Sequence, residues 1–597
     1  MKLTKNLVFI IILILLNTLI YANTFRNDFV FDDPGFIVNN YEIRDLKNIP
    51  SFFTEPTIGS LYRPLRTTWY SIIYQISGQD TWGYHLNSLI FHVLVTILFY
   101  FITLKVTEKK NLSFIIALLF AAHPIHTGRV TNMTAGFDIL GIFLMLLSFY
   151  FYIIFSKDKK KNFLYYSVIA FILALLGTEE AITLPLLILL YEFIFGQKTD
   201  MIKIKNVYNN IRWFGSYVVI FLAYFIIRTL IIEKIGRSAV YYAGSFSVSV
   251  YTTFTVFIRY IRLLFLPLNL NVEYIHDLQY SLFEWKAFVS LLIIIALLVF
   301  AFYIRKRSKF ISFGIFWFFI TLIPFSNIFP VNVIMAERYL YVPSFGFCLI
   351  LGFVFYKLIN FKSGSPNVNK TVKAVSMLAL VILLLWYSSV VIQRNSEWRD
   401  SISFWEITIG KEPRASRPYD NLGIEYLDMG NHADAIDYFL IAIDHNPLNH
   451  IAYANLGRAY AEIGEFDKAK SSLIKSIEIH PDIYNAYNNL GIVYDMEGNF
   501  SLAIDSFEKA ISLSPKLHKA HMDLAKTLVK KGEFTRAEEE FKLAVELRPE
   551  LPDPHYNLGI FYEFINQTGN AKDEFKIAYE IEPENDLYIN RYKRYFS

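Results

Sequence analysis

Apolar residues fill the first two thirds of the chain in runs of spanning length, and the last third alternates apolar and polar positions at helical spacing. The runs fall at about 6–22, 86–106, 112–128, 138–156, 163–178, 180–196, 212–232, 286–304, 310–329, 339–358 and 374–392. A helix rising 1.5 Å per residue needs roughly 20 residues to cross about 30 Å of hydrocarbon, so the pattern predicts eleven crossings. Residues 250–267 are also apolar but carry Arg259 and Arg262 and end at Pro267. They predict an interfacial or re-entrant helix on the outer side.

Basic clusters set the sidedness. They are Lys105, Lys109 and Lys110; Lys157 and Lys159–Lys161; Lys198, Lys203 and Lys205; Arg305–Arg307 and Lys309; and Lys357, Lys362, Lys370 and Lys373. All of them face the cytoplasm if the N-terminus does, as the positive-inside bias requires. Lys2 and Lys5 ahead of the apolar run Leu7–Ile20 predict an uncleaved signal-anchor rather than a removed leader. Odd parity then places the first large loop and the C-terminal tail together outside.

The tail keeps a strict period. Pro447, Pro481, Pro515, Pro549 and Pro583 recur every 34 residues, the length of a tetratricopeptide helix–turn–helix unit. Leu422-Gly423, Leu456-Gly457, Leu490-Gly491, Leu524-Ala525 and Leu558-Gly559 share one register, as do Ala435, Ala469, Ala503, Ala537 and Ala571. Phe439, Leu473, Phe507, Phe541 and Phe575 share a third. Small residues suit the closest helix approach, bulky ones wedge neighbours apart, and each proline stops a helix. The fold class is therefore all-α: a polytopic bundle over 1–393 and a solenoid over 394–597. Within the solenoid we place a half unit at 395–415 (Trp398, Trp405, Pro413), five repeats at 416–585 and a polar capping helix at 586–597.

A net charge of +4 with basic residues at helix ends argues against a nucleic-acid partner. The single cysteine, Cys348, excludes an intrachain disulfide and reads as a small buried hydrophobe. His123 and His126 with Asp138 lack a third ligand at a recognisable spacing, so neither a metal nor any other cofactor is expected.

Candidate chemistry begins at Asp28-Phe29-Val30-Phe31-Asp32-Asp33-Pro34-Gly35, just beyond the first span. Adjacent carboxylates at a membrane boundary are either a solvated acidic loop or a pair in which one member becomes a base. Glu179 and Glu180 lie between apolar runs, where charge is costly and faces a cavity or a partner.

These residues, with Tyr62-Arg63-Pro64-Leu65, His85-Leu86-Asn87, His123-Pro124-Ile125-His126 and Ala336-Glu337-Arg338-Tyr339, resemble the transmembrane and tetratricopeptide-repeat O-mannosyltransferase family. The resemblance runs from about Asn27 to the C-terminus and implies a GT-C-type integral-membrane glycosyltransferase using polyprenyl-phosphate sugars. It assigns the catalytic carboxylate to Asp32 or Asp33. Gly136 and Thr178 depart from it, standing where the family tends to have arginine and lysine.

Departing phosphate needs cations, and the planar arginine fork suits it. Arg63, Arg338 and Arg259 are the candidate donor-phosphate ligands, followed by Arg129. A structural pair of Arg338 with Glu337 and interfacial placement of Arg259 are the alternatives. His85, His123, His126, Asp138, Glu179, Glu180, Glu337 and Tyr339 are candidate substrate-lining residues.

The expected function is inverting transfer of a mannose-like sugar from a polyprenyl-phosphate carrier to protein Ser/Thr hydroxyls outside. The solenoid would collect the acceptor, and a prokaryotic plasma membrane is favoured over the endoplasmic reticulum. A non-catalytic repeat scaffold for envelope assembly is the alternative. A transporter would show duplicated halves, and none is visible.

Overall fold

The structure, a computed structural model, describes residues 4–56, 61–196, 204–232 and 241–596, with backbone alone over 204–213. Lys198 and Lys203, and the side chain of Lys205, lie outside the described residues. Two units emerge, Met1–Glu412 and Pro413–Ser597.

The first unit is a bundle of helices: α1 (Lys5–Tyr21), α2 (Pro64–Ser77), α3 (Thr81–Thr107), α4 (Lys110–Ala122), α5 (Asp138–Asp158), α6 (Lys161–Gly177) and α7 (Leu184–Phe195). It continues through α8 (Ile204–Ile232), α9 (Phe246–Phe265), α10 (Trp285–Ile304), α11 (Lys309–Thr321), α12 (Pro343–Ile359), α13 (Pro366–Ser396) and α14 (Ser401–Lys411). Among the described residues seven helices pass a spanning test by length and apolarity. An eighth candidate is α4 joined across a 51° bend to 124–130, while α6, 309–325 and α12 are shorter apolar helices. Every predicted run therefore falls on a helix, several of them shorter than a full crossing.

The bundle's interior shows why small residues recur. A Cβ at Gly141 of α5 would lie 2.8 Å from the backbone of Gly177 at the end of α6, so only glycine permits that approach. At the bundle's lysine-rich end, Lys105 reaches Asp158 at 3.0 Å and Lys157 reaches Glu108 at 3.0 Å, tying α3 to α5.

Helix α9, expected at the interface, is long and apolar enough to be a candidate span. Its surroundings say more. Ahead of α9, Tyr241 and Tyr242 donate to the carbonyls of Ile328 and Asn332; near its other end Tyr260 donates to that of Ala336. The irregular segment 328–336 thus runs alongside the helix.

The compact units divide at 412, beyond the expected boundary at 393. Residues 395–412, which keep the repeat's aromatic offsets, belong to the first unit. Helix α14 is capped by Asp400, whose carboxylate accepts from Ser403 N at 2.9 Å, and it buries Phe404 and Trp405.

The second unit pairs Ser416–Asp428 with His432–His445, His450–Glu462 with Phe466–Ile479, Tyr484–Met496 with Phe500–Leu513, His518–Lys531 with Phe534–Leu547, and Pro552–Phe564 with Thr568–Ile581. The turns inside the first four pairs use Gly430, Gly464, Gly498 and Gly532 at φ of 77–85°, and Asn566 serves in the fifth at 60°. A Cβ at Gly491 would sit 2.6 Å from the Phe507 ring, which explains the small residue at that register. Asp586–Phe596 closes the stack, with Tyr588 donating to Asp553 at 2.6 Å.

Candidate active site

The two aspartates have different environments. Asp33 is fully buried. Its Oδ1 accepts from Thr134 N at 2.7 Å and Thr134 Oγ1 at 2.6 Å, and its Oδ2 accepts from Val30 N at 3.3 Å. Burial pushes its carboxyl up to about 7, outweighing those hydrogen bonds. Asp33 is therefore a latch between its loop and the segment before α5, with its oxygens already engaged. Asp32 is only half-buried.

The loop is held from both sides. Phe31 has φ of 63°, a left-handed conformation that costs an L-residue about 1–2 kcal/mol. Its ring sits among Trp398, Phe404 and Trp405, at centroid distances of 6.2, 5.9 and 5.8 Å. Asp28 N donates to Arg399 O at 2.8 Å, and Asn27 Nδ2 donates to Asn395 O at 2.9 Å. The Asn395 amide in turn donates to Ile20 O and Asn23 Oδ1 and accepts from Thr131 Oγ1.

Beside this loop lies a buried ionic network. Asp138, at the start of α5, accepts from Arg63 at 2.8 Å, Arg66 at 3.1 Å and Arg129 at 2.9 Å. Arg63 also reaches Glu179 at 3.4 Å, which faces Arg228 of α8 at 3.6 Å, while Arg129 pairs with Glu180. Among the described residues the network joins four arginines and three carboxylates.

Arg338 stands apart from the others. Among the described residues its guanidinium makes no hydrogen bond or ion pair, and its charge interacts with Tyr339, Asp32 and Asp138. Its carbonyl accepts from Arg129 at 2.8 Å. The expected alternative, pairing with Glu337, does not hold: Glu337 accepts from Tyr274 OH at 2.6 Å and pairs with Arg394 at 3.5 Å.

The remaining candidates divide. Asp138, Glu179 and Glu180 belong to the network, and Arg63 spends its fork on carboxylates. Arg259 donates to Ile275 O at 3.0 Å and lies over the Tyr274 ring. Tyr339 stacks on Phe325 with centroids 3.9 Å apart. His85 Nε2 donates to Asn27 O at 3.2 Å, so it supports the acidic loop. His123 is fully buried, accepting from Ile125 N and donating to Leu264 O at 3.0 Å. His126, equally buried, bonds Ser344 Oγ at 2.8 Å. Both tie helices together rather than line an opening.

Arg66 and Arg228 are the members that the sequence reading missed. Arg228 could have been found, because an arginine inside an apolar run demands a partner. Gly136 has no room for the family's arginine: a Cβ there would lie 1.9 Å from Ser88 Oγ. Thr178 caps the next turn by accepting from Glu180 N at 3.4 Å.

A cavity of about 310 Å³ adjoins the network. Phe221, Leu222, Phe225, Phe329 and Val331 supply apolar walls, and Glu179, Tyr224 and Arg228 supply a polar end.

An all-helical, membrane-type bundle with ionic chemistry at one end, followed by tetratricopeptide repeats, defines the class. Models described as tetratricopeptide repeat match residues 421–470, 484–517 and 518–551. The chain resembles the transmembrane and tetratricopeptide-repeat protein O-mannosyl-transferases. Protein O-mannosyl-transferase F38B6.6 of Caenorhabditis elegans is 25% identical over 70% of this chain and 60% of its own length. Protein O-mannosyl-transferase TMTC3 of Homo sapiens is 24% identical over 68% of this chain and 48% of its own. The chain thus spans about half to three fifths of the length of these relatives. A solved structure, YrrB, a tetratricopeptide-repeat protein with an unusual peptide-binding site, covers 32% of this chain and all of its own at 20% identity and a TM-score of 0.25.

Proposed function

We propose that this chain is an integral-membrane glycosyltransferase, moving a mannose-like sugar from a polyprenyl-phosphate carrier to Ser/Thr hydroxyls of a protein acceptor. The observation that carries the reading is Arg338, a cation without a partner among the described residues, in the electrostatic field of half-buried Asp32. Asp32 is the base. It takes the acceptor hydroxyl's proton as the oxygen bonds to the anomeric carbon from the face opposite the carrier, which inverts that carbon. The carbon–oxygen bond to the carrier breaks, and the phosphate leaves with the electron pair toward Arg338. The arginines of the network suit a charged phosphodiester, and the apolar cavity beside Arg228 suits the carrier's hydrocarbon.

Sidedness rests on the positive-inside reading of the basic clusters, and α9 is consistent with it. Its irregular neighbour 328–336 would have unsatisfied backbone groups in lipid, which supports both lying along the outer face. The reacting end, the acidic loop and the repeats are then extracytoplasmic, and the repeats collect the acceptor. In vesicles containing purified protein, Asp32→Asn should abolish transfer of labelled mannose from polyprenyl phosphate to acceptor protein while the protein stays folded, as judged by a cooperative melting transition. Undiminished transfer by the variant would remove Asp32 from the chemistry.

A further inference from the structure

The residue before the base has an energetically disfavoured backbone. Phe31 holds φ of 63° although it carries a Cβ and a ring, and nothing in its own chemistry rewards that conformation. The compensation is external: three aromatic rings from one segment, Trp398, Phe404 and Trp405, surround it. These three are almost completely buried. The same segment grips the chain once more, through Arg399 O and Asp28 N. Trp398 also lines a small cavity with Glu337, Arg338 and Arg394, so one indole borders both the Phe31 ring and the cavity that Arg338 lines.

We propose that Phe31 is a positioning residue for the transfer reaction, whose ring, seated in the socket of Trp398, Phe404 and Trp405, enforces the left-handed turn that aims Asp32 toward Arg338. The proposal rests on the glycosyltransferase reading for its kinetic consequence but not for its structural one. Without the ring, residue 31 relaxes to the ordinary extended or right-handed regions and the next side chain swings away. The turn closed by Asp33 N on Val30 O and Phe36 N on Asp32 O loosens with it.

The test uses the full chain in vesicles with Phe31→Ala, Phe31→Tyr and, on the socket side, Trp405→Leu, which guards against misfolding of any one variant. Phe31→Ala and Trp405→Leu should lower kcat by about 100-fold, the cost of misplacing a reacting group by an ångström. Donor KM should stay within about threefold, because the phosphate contacts at Arg338 are untouched, and Phe31→Tyr should restore kcat. Hydrogen exchange at the Asp33 and Phe36 amides should quicken by about tenfold in the two impaired variants. A kcat that survives loss of the ring, or a drop in kcat with unchanged exchange, overturns the proposal. If the unmodified chain transfers no sugar, the glycosyltransferase reading fails by itself. Exchange at Asp33 and Phe36 then decides alone whether the socket holds the turn.

Discussion

Replacing Arg338 by methionine separates a ligand from a structural ion. Its guanidinium makes no hydrogen bond or ion pair among the described residues, so the folded state bears the desolvation of a charge that only the fields of Tyr339, Asp32 and Asp138 offset. Methionine keeps much of the volume and removes that cost. Because those fields offset the burial, we expect a melting temperature within a few degrees of the unmodified protein's. The loss should appear in catalysis: two charge-assisted hydrogen bonds to a departing phosphate, each worth about 1.5 kcal/mol or more, amount to roughly 3 kcal/mol. At about 1.4 kcal/mol per tenfold, kcat/KM should fall by about two orders of magnitude.

Arg129 is the control. It pairs with Asp138 and Glu180 and donates to Arg338 O, so Arg129→Met breaks two buried ion pairs at once, at a cost of about 3–5 kcal/mol. Thermal unfolding in detergent, followed beside transfer of labelled sugar in vesicles, reads both effects. If Arg338→Met destabilises the protein as much as Arg129→Met, or transfers at the full rate, the assignment of Arg338 as the phosphate ligand is wrong.

Two further outcomes follow from the geometry. Because burial raises the Asp33 carboxyl to about 7 from an ordinary value near 4, its contribution to stability is complete below about pH 4 and lost as pH rises through 7. Between pH 4 and 8 the unmodified protein should lose on the order of 4 kcal/mol that Asp33→Asn does not lose; parallel melting curves would show that Asp33 does not titrate there. In the repeats, Phe507 fills the space left by Gly491, so Phe507→Ala should cost about 3–5 kcal/mol, measurable as earlier denaturant unfolding of that unit alone.

What was legible in the sequence was periodic or local. The 34-residue register named each residue that packs between paired helices, because every repeat solves the same packing problem with its neighbour. Spanning runs were visible because lipid tolerates few polar side chains. The network was not legible as a network: Asp138 meets Arg63 and Arg66 across more than 70 residues of chain, and nothing local encodes that meeting. The acidic pair was visible, but the difference between its members depends on Thr134, a hundred residues away, which engages one of them. Residues 395–412 group with the first unit for a physical reason. Their aromatic spacing suits a repeat, yet the same rings find a partner in Phe31.

That allegiance matters to anyone who isolates the repeats. A fragment beginning at Asn395 would take Trp398, Phe404 and Trp405 away from the ring they surround and present them to water, inviting self-association. One beginning at Pro413 would leave them in place, and the greasy remnant that stays behind would keep its grip on the acidic hairpin.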